Sequence, residues 1–310
     1  MLFITIIIAL ALELMVTHSV KIKKTHWLIA YREWIISLFR KNLFWDGPIG
    51  VLAILVIPVV LISLLQTSSF YNDSLYGLTG LILGVLLLVY SFRYSSLDQA
   101  IESLSVSAVD SEEQFLAAEK AAMGELLGQS QPAIQYRYSV LTEAVMVQAN
   151  ERLFAVIFWF LIFGPAGALA YRLSWFMYEH PLDPGTIEPS DDDLDAASYR
   201  LFGILSWVPA RICAAGYALA GGFEDALSEW SELSMKGKYD FCKSNYKVLA
   251  KTGMAALHIG RYESTLEDDD LVDKMVSVNA VKAARALVLR TLLLACVIIS
   301  IVTITGWIVT

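Results

Sequence analysis

The chain contains apolar runs that are too long for an ordinary soluble core, and these runs constrain its fold more than any other feature. A helix that crosses the hydrocarbon core of a bilayer needs about 20 predominantly apolar residues. Three runs of this kind carry no charge, at residues 48–66, 75–92 and 291–309. A fourth run, residues 2–18, contains one carboxylate, that of Glu13. The sequence therefore predicts an all-α polytopic membrane protein.

Composition separates the chain from soluble domains and limits its partners. Hydrophobic residues make up 56% and charged residues 17% of the chain, whereas soluble domains are about one quarter charged. The net charge of −8 argues against a nucleic-acid partner, because phosphate backbones are bound by clustered Lys and Arg. The four histidines and three cysteines lack the spacing of metal ligands, and no nucleotide loop or nucleophile elbow occurs. We therefore expect the lipid bilayer as a partner, and no metal, cofactor or catalytic residue.

Two further apolar segments are interrupted by residues that are unusual in spanning helices. Residues 153–176 are long and aromatic but contain a Gly-Pro pair at 164–165, and we expect them to span. Residues 201–220 carry Pro209 and Arg211 near their centre. An arginine in the middle of a bilayer is costly unless it faces protein or water. This second segment is therefore expected to span, to bend back or to lie in the membrane interface, without facing lipid on all sides.

The distribution of Lys and Arg predicts the orientation of the segments, since both are enriched in cytoplasmic loops. They fill the loop 19–47 and recur in residues 93–152 and 221–290, which we place in the cytoplasm. Residues 177–200 are acidic and are placed outside. This alternation favours six crossings with both termini outside, so that the N-terminus is periplasmic. Four crossings are the alternative.

Two of the polar loops are long enough to fold, and both show amphipathic helical patterns. In the first, residues 95–149, Asp110 or Ser111 is expected to cap a helix that stops at Gly128. The second loop is residues 221–286. The predicted organisation is three N-terminal membrane helices with a basic loop (1–94 and 19–47), a cytoplasmic helical loop (95–149), membrane helices with Gly and Pro breaks (150–220), a second cytoplasmic helical loop (221–286) and a C-terminal membrane helix (287–310).

Glu13 is an acid on an otherwise apolar helix. An ionisable residue inside a membrane is by default a hypothesis for a functional site. Its place near the cytoplasmic end of the run also fits a structural role, with the carboxylate at the lipid headgroups or paired with a basic residue of another helix.

A second polar group lies where the loop 95–149 enters the next membrane helix. Asn150 is a good N-cap, Glu151 suits the positive end of a helix, and Arg152 suits the inner lipid surface. The alternative is that the group pairs with Glu13 or Arg211 inside a helix bundle.

A third group, formed by Trp207, Pro209 and Arg211, interrupts the segment 201–220. Pro209 frees backbone carbonyls, and Arg211 adds a fixed charge with five N–H donors. Broken helices with a buried charge often line a polar cavity, whereas a kinked interfacial helix whose arginine reaches water is the alternative. The full set of candidate polar residues is Glu13, Asn150, Glu151, Arg152, Tyr171, Arg172, Trp207, Pro209 and Arg211.

The two interrupted segments resemble a known family. The blocks NERLFAVIFWFLIFGPAGALAYR (150–172) and LSWVPARICAAGYALAGGFEDALSEW (205–230) resemble the AmpE family closely, and the basic-apolar segment 282–299 agrees in order. That resemblance implies an inner-membrane protein of Gram-negative bacteria, encoded beside a cell-wall amidase and linked to β-lactamase induction. It further implies a recycling amidase or another membrane protein as partner, and a cell-wall fragment or a nucleotide as ligand.

The first block also resembles, more distantly, the CobD/CbiB enzymes of cobalamin biosynthesis. The shared pattern is Phe158-Trp159 followed by the run 164–172, which ends in Tyr171 and Arg172. The chain departs from those enzymes at three polar elements, which here read LSWFM (173–177), QANER (148–152) and GQSQ (128–131). These departures argue against amide synthase activity.

Three functional hypotheses follow. The first is a non-enzymatic membrane sensor or modulator of the AmpE type that responds to cell-wall stress and β-lactams. The second is a degenerate corrinoid amide synthase of the CobD/CbiB type. The third is a small-molecule transporter with a polar cavity around Glu13, Arg152 and Arg211.

Overall fold

The computed structural model confirms the all-α prediction. It describes residues 2–16, 26–39, 47–70, 76–92, 94–107, 112–127, 138–182, 194–235, 240–259 and 270–305. Within these ranges every regular element is helical, and no strand occurs.

The helices of the described residues are numbered in chain order. They are α1 (Leu2–Val16), α2 (His26–Phe39), α3 (Pro48–Phe70), α4 (Tyr76–Ser91), α5 (Tyr94–Ser107), α6 (Glu112–Leu127), α7 (Tyr138–Ala149), a π-helical turn (Asn150–Phe154), α8 (Ala155–Glu179), α9 (Leu194–Ala220), α10 (Phe223–Met235), α11 (Phe241–Ala256) and α12 (Asp270–Ile304). The expected helix of the loop 95–149 is α6, whereas its expected caps, Asp110, Ser111 and Gly128, lie outside the described residues.

Four helical stretches are long and apolar enough to cross a bilayer. They are Pro48–Leu65, Ser139–Glu179, Leu194–Ala220 and Val278–Ile304. Helices α4 and α5 form a fifth stretch if they are counted as one span, and α1 supplies a shorter apolar helix, Phe3–Glu13. Where the structure describes them, the predicted spans are therefore helical, and the multi-pass helical membrane fold is confirmed. The count of six crossings stays a prediction.

The chain divides into two compact units. Unit 1 contains Met1–Phe92 and Ala155–Leu205, and unit 2 contains Arg93–Phe154 and Ser206–Val309. The two loops predicted to be helical therefore fall in the same unit. Helix α9 belongs to both units, since the division falls between Leu205 and Ser206.

In unit 1 the helices α1, α4 and α8 meet around a glycine. A Cβ atom built on Gly84 of α4 would lie 3.0 Å from Cγ2 of Thr5 on α1. It would also lie 3.7 Å from the ring of Phe160 and 3.8 Å from the ring of Pro165, both on α8. The absence of a side chain at Gly84 thus lets three apolar helices approach closely, as small residues do in membrane proteins.

Helix α8 is sharply bent at the Gly-Pro pair that interrupted its apolar pattern. Gly164 has φ 65° and ψ −154°, a conformation that residues with a side chain rarely adopt. Beyond the bend, Gly167 lies against the carbonyl oxygen of Trp159. In a straight helix two residues eight positions apart would be separated by about 12 Å along the axis. The bend therefore folds the two parts of α8 toward each other, and Gly167 has no room for a methyl group.

The segment between α1 and α3, predicted to be a basic loop, contains helix α2. Arg32 of α2 donates a hydrogen bond to the carbonyl of His180, just after α8. Its guanidinium lies 5.7 Å from the centre of the Phe176 ring. Burial lowers the pKa of Arg32, while the carboxylates of Asp195 and Glu33 oppose that shift.

These contacts contradict the assignment of residues 19–47 and 177–200 to opposite faces of the membrane. The two faces are separated by about 30 Å of hydrocarbon, and an arginine side chain cannot bridge that distance. The prediction was wrong because it counted Lys and Arg in each loop separately. Arg32 belongs to the basic segment 19–47 and Asp195 to the acidic segment 177–200. Their electrostatic attraction therefore favours contact between the two segments.

The core of unit 2 is built around α7. This helix packs against α5, α6, α11 and α12, and Leu141, Ala144 and Val145 are buried in the contacts. A Cβ atom on Gly253 of α11 would lie 2.8 Å from Cγ of Met146, so α7 and α11 are in close contact. Helices α10 and α11 pack against each other as well.

We expect Gly167→Ala to destabilise the protein by about 1–3 kcal/mol, the usual effect of overpacking. A Cβ atom at this position would contact the Trp159 carbonyl oxygen and lie 2.8 Å from Cβ of Phe163. Thermal unfolding of the detergent-purified protein, followed by tryptophan fluorescence, measures the effect. Gly80→Ala is the matched control, because no atom lies within 4 Å of its Cβ position. Equal melting temperatures for the two variants would contradict the bend described here.

Candidate functional site

Arg152 is the centre of a buried polar cluster in unit 2. Its side chain is 2% exposed, and its guanidinium donates to Oε1 of Glu125 at 2.9 Å, to Oγ of Ser96 at 2.6 Å and to Oε1 of Gln148 at 2.7 Å. A fourth hydrogen bond, of 2.7 Å, goes to the backbone carbonyl of Glu125. We call Arg152, Glu125, Ser96 and Gln148 the Arg152 cluster. It connects α5, α6 and the π-helical turn.

Arg152 is therefore bound by groups of the protein, and its expected position at the level of the inner lipid surface stays a prediction. A buried guanidinium must be compensated by hydrogen bonds and by an opposite charge, and Glu125 supplies both. Glu125 lies on the amphipathic helix predicted in the loop 95–149. The sequence indicated that this helix exists but not which of its carboxylates faces Arg152. The Gln148–Arg152 contact could have been found, since residues four apart lie on one face of a helix.

The expected role of Asn150 and Glu151 at a helix N-terminus is wrong. Residues 138–163 are helical without interruption, and Asn150 begins the π-helical turn inside that stretch. Buried apolar residues such as Val145 and Met146 hold the preceding turns in the core, so packing overrides the capping preference of asparagine. The Asn150 side chain is fully buried, and neither its Nδ2 nor its Oδ1 has a hydrogen-bond partner.

A tyrosine from α9 supports the backbone just before the π-helical turn. The hydroxyl of Tyr217 donates to the carbonyl of Met146 at 2.8 Å. Its ring meets the ring of Phe154 edge to face, with centroids 6.4 Å apart. Tyr217 is completely buried. It was not among the candidate residues, because an isolated tyrosine in an apolar segment carries no sequence signal of such a contact.

Arg211 connects α9 to the first turn of α11. Its guanidinium donates to Oδ1 of Asn245 at 2.6 Å and to Oγ of Ser244 at 2.9 Å. A further hydrogen bond reaches the carbonyl of Trp207 at 3.0 Å, and the guanidinium lies 4.3 Å from the centre of the Trp207 ring. Arg211 thus joins two helices and is only partly exposed. Asn245 and Ser244 are partners that sequence reasoning did not identify.

Pro209 has the backbone consequence that was expected of it. Proline has no N–H, so the carbonyl four residues earlier loses its helical donor. That carbonyl belongs to Leu205, and it accepts a hydrogen bond of 3.1 Å from Nε1 of Trp159 on α8. A carbonyl without a donor inside the membrane would cost several kcal/mol. The hydrogen bond from the Trp159 indole removes this cost.

The other candidates, Glu13, Tyr171 and Arg172, belong to unit 1. All three are buried. The Tyr171 ring packs against Phe202, with centroids 5.9 Å apart, and the Arg172 guanidinium lies 4.0 Å from the centre of the Trp175 ring. The candidates thus divide between the units, and in unit 2 Arg152 and Arg211 bind different partners.

A clamp in unit 2 holds α7 to α11 through Glu143. Its Oε1 accepts from Nζ of Lys251, and its Oε2 from the hydroxyl of Tyr246, both at 3.1 Å. Burial raises the pKa of Tyr246, and the nearby Glu143 carboxylate raises it further. The phenol therefore stays protonated and keeps donating.

The chemistry of these groups is that of fixed charges and hydrogen bonds. Arg152 and Arg211 are held by carboxylate, amide and hydroxyl oxygens, an arrangement that orients the helices relative to each other. In the part of the chain that the structure describes, no three His, Cys, Asp or Glu side chains are grouped as metal ligands.

Comparison with known proteins gives two findings. A family model described as "Regulatory signalling modulator protein AmpE" matches residues 1–309. A cobalamin biosynthesis protein CobD from Stutzerimonas stutzeri (strain A1501) is 35% identical over 91 residues, which are 29% of this chain and 28% of that protein. The chain therefore matches less than a third of that relative's length. No solved structure matches.

We expect Glu125→Gln to destabilise the protein by about 1–3 kcal/mol, because it leaves the buried Arg152 charge without its carboxylate. Chemical unfolding in detergent measures the loss. Glu113→Gln makes the same change on the same helix at an exposed position and should stay within about 0.5 kcal/mol of wild type. A similar cost for both variants would show that the ion pair contributes nothing specific.

A second prediction concerns Trp159 and Pro209. Trp159→Phe removes the indole N–H and leaves the Leu205 carbonyl without a donor, at an expected cost of about 1–3 kcal/mol. Pro209→Ala restores a backbone N–H that can reach the same carbonyl. The tryptophan substitution should therefore cost less in the Pro209→Ala background than in the wild type, as measured by a double-mutant cycle of melting curves. Additive effects would exclude the proposed coupling.

Proposed function

The chain belongs to the AmpE family, and from this membership we propose that it is a membrane sensor or signalling modulator in the response to cell-wall stress and β-lactam antibiotics. The role is non-enzymatic. The observation that carries the proposal is the family match over residues 1–309, since it covers both units.

The arrangement of the helices supports a signalling role. The chain passes from unit 2 to unit 1 inside one continuous helical stretch, between Phe154 and Ala155, and from unit 1 to unit 2 inside α9, between Leu205 and Ser206. A helix is stiff, so a shift or rotation at one end is carried to the other. The Arg152 cluster lies directly before the first of these passages. A change in its contacts would therefore be well placed to alter the helix that enters unit 1.

The buried polar groups also fit a modulator better than an enzyme. Arg152 is bound by four groups of its own unit, and Arg211 by Ser244, Asn245 and the carbonyl of Trp207. Catalysis needs acids, bases or nucleophiles aimed at a substrate, whereas these arginines connect helices of unit 2.

The partners and location form part of the proposal. The protein would lie in the bacterial inner membrane, with a cell-wall recycling amidase or another membrane protein as partner. A cell-wall fragment or a nucleotide would be the signal. The exposed apolar residues of the spans, among them Leu52, Val56, Leu61 and Leu64 of α3, are the surface that lipid would cover.

A corrinoid amide synthase is the second candidate, favoured by the similarity to a CobD protein. The similar stretch is short. The pattern shared with those enzymes includes Trp159 and the pair 164–165, which have structural roles here: the indole satisfies the Leu205 carbonyl, and the pair bends α8. The polar elements that differ are those in which enzymatic chemistry would be sought.

Deletion of the gene in its own bacterium tests both candidates. We expect the deletion to change the β-lactamase activity induced by a sublethal β-lactam, and growth that depends on cobalamin synthesis to stay normal. Enzyme activity in lysates and growth with or without added cobalamin are the measurements, and a plasmid copy of the gene should restore induction.

The two readouts distinguish the outcomes. A cobalamin requirement with normal induction would favour the synthase and contradict the signalling role. Normal behaviour in both assays would contradict both proposals.

A further inference from the structure

Helix α11 runs parallel to the second half of α9 in a fixed register. Arg211 of α9 binds Asn245 of α11, and the N–H of Gly222, just after α9, donates to the carbonyl of Ala256 at 2.8 Å. The partners in both pairs are 34 residues apart. The two contacts therefore join α11 to α9 near both ends of α11. Residues of the two helices that are 34 positions apart in the sequence consequently lie at about the same height along the helix axes.

The same register places the first residue of α11 level with a tryptophan of α9. Phe241 is 34 residues after Trp207, and the two side chains are 47% and 42% exposed. The Arg211 guanidinium covers one face of the Trp207 ring. Lys243, two residues into α11, is exposed as well. Two exposed aromatic side chains and two basic groups thus lie at about the same height along the axes of α9 and α11.

The charges of α11 indicate on which side of this level the hydrocarbon lies. The helix carries Lys243, Lys247 and Lys251 and no acid, and lysines are excluded from the bilayer centre. The part of α9 that crosses the hydrocarbon must therefore precede Arg211. Residues 194–210 of α9 extend for about 25 Å, close to the thickness of a bilayer core.

We propose that the amino end of α11, with Phe241 and Lys243, rests on the anionic headgroups of the membrane beside Trp207 and Arg211. Aromatic side chains are enriched at this depth, and basic residues near the surface are attracted to anionic lipids. The surface is continuous with the exposed apolar side of α9, which presents Val208 one residue after Trp207. The second helical loop would thus be held on the bilayer at one end, independently of any role in signalling.

Depth measurements on the purified full-length protein test the placement. Cys242 is labelled with a nitroxide after Cys213 and Cys296 are replaced by alanine. A second sample carries Cys242→Ala and Lys251→Cys, so that the label lies about 13 Å farther along α11. Both are placed in nanodiscs that hold one protein each, with phosphatidylglycerol and phosphatidylcholine.

The Cys242 label should be shielded from an aqueous nickel chelate, and the label at 251 should be accessible. Because each nanodisc holds a single protein and no soluble partner, shielding can come only from lipid or from the chain itself. A parallel measurement with molecular oxygen distinguishes these two sources, since oxygen dissolves in lipid and reaches a label there, whereas a label covered by the chain is shielded from both reagents. Equal accessibility of the two labels to the nickel chelate, or shielding of the Cys242 label from oxygen as well, would overturn the proposal.

The charge requirement has its own test. Phosphatidylglycerol should raise the thermal stability of the wild-type protein relative to phosphatidylcholine alone, and Lys243→Gln should reduce that gain. One lysine at a membrane surface corresponds to about a fivefold change in the equilibrium. Lys120→Gln, at an exposed position of α6, is the matched control and should leave the gain unchanged. If the two variants lose the gain equally, anionic headgroups do not recognise this end of α11.

Discussion

The structure depends on one constraint, which is that a backbone amide or carbonyl inside a bilayer must find its hydrogen bond within the protein. Uninterrupted helices meet this constraint without help, and most of the apolar runs do so. The interesting positions are those where the helix is interrupted. Pro209 removes a donor from α9, and the Trp159 indole supplies another one to the Leu205 carbonyl. A side chain from α8 thereby completes the backbone bonding of α9, and the two helices are held together at that point.

Charge imposes a second form of the same constraint. A buried arginine is tolerated where its N–H groups have acceptors and its charge has a counterpart or access to water. Arg152 has a carboxylate, an amide and a hydroxyl as partners, while Arg211 has an amide, a hydroxyl and a carbonyl. These acceptors lie on α5, α6 and α11, the helices of the two polar loops, as well as on the arginine's own helix. The loops are therefore integrated into unit 2 through the arginines of the membrane-entering helices.

Much of the fold could be predicted from the sequence, because apolar runs and helical periodicity are local signals. The apolar runs, the helical periodicity and the Gly-Pro pair predicted the spanning helices, the helical loops and the break at 164–165. The partners of the charged residues were not, since Glu125 lies 27 residues from Arg152 and Asn245 lies 34 from Arg211. The assignment of loop 19–47 and residues 177–200 to opposite faces failed for the same reason: the contact between Arg32 and His180 spans 148 residues.

The residues that carry the resemblance to the CobD/CbiB enzymes can be explained by the fold. Trp159 donates to a carbonyl that Pro209 leaves free, Gly164 adopts a left-handed conformation, and Gly167 lies against the backbone of Trp159. Each of these roles is required by the shape of α8 and would persist in a relative that had lost or never had the enzymatic reaction. Residues with such structural roles carry no information about a common substrate. In unit 2 the polar contacts of Arg152 and Arg211 likewise connect helices.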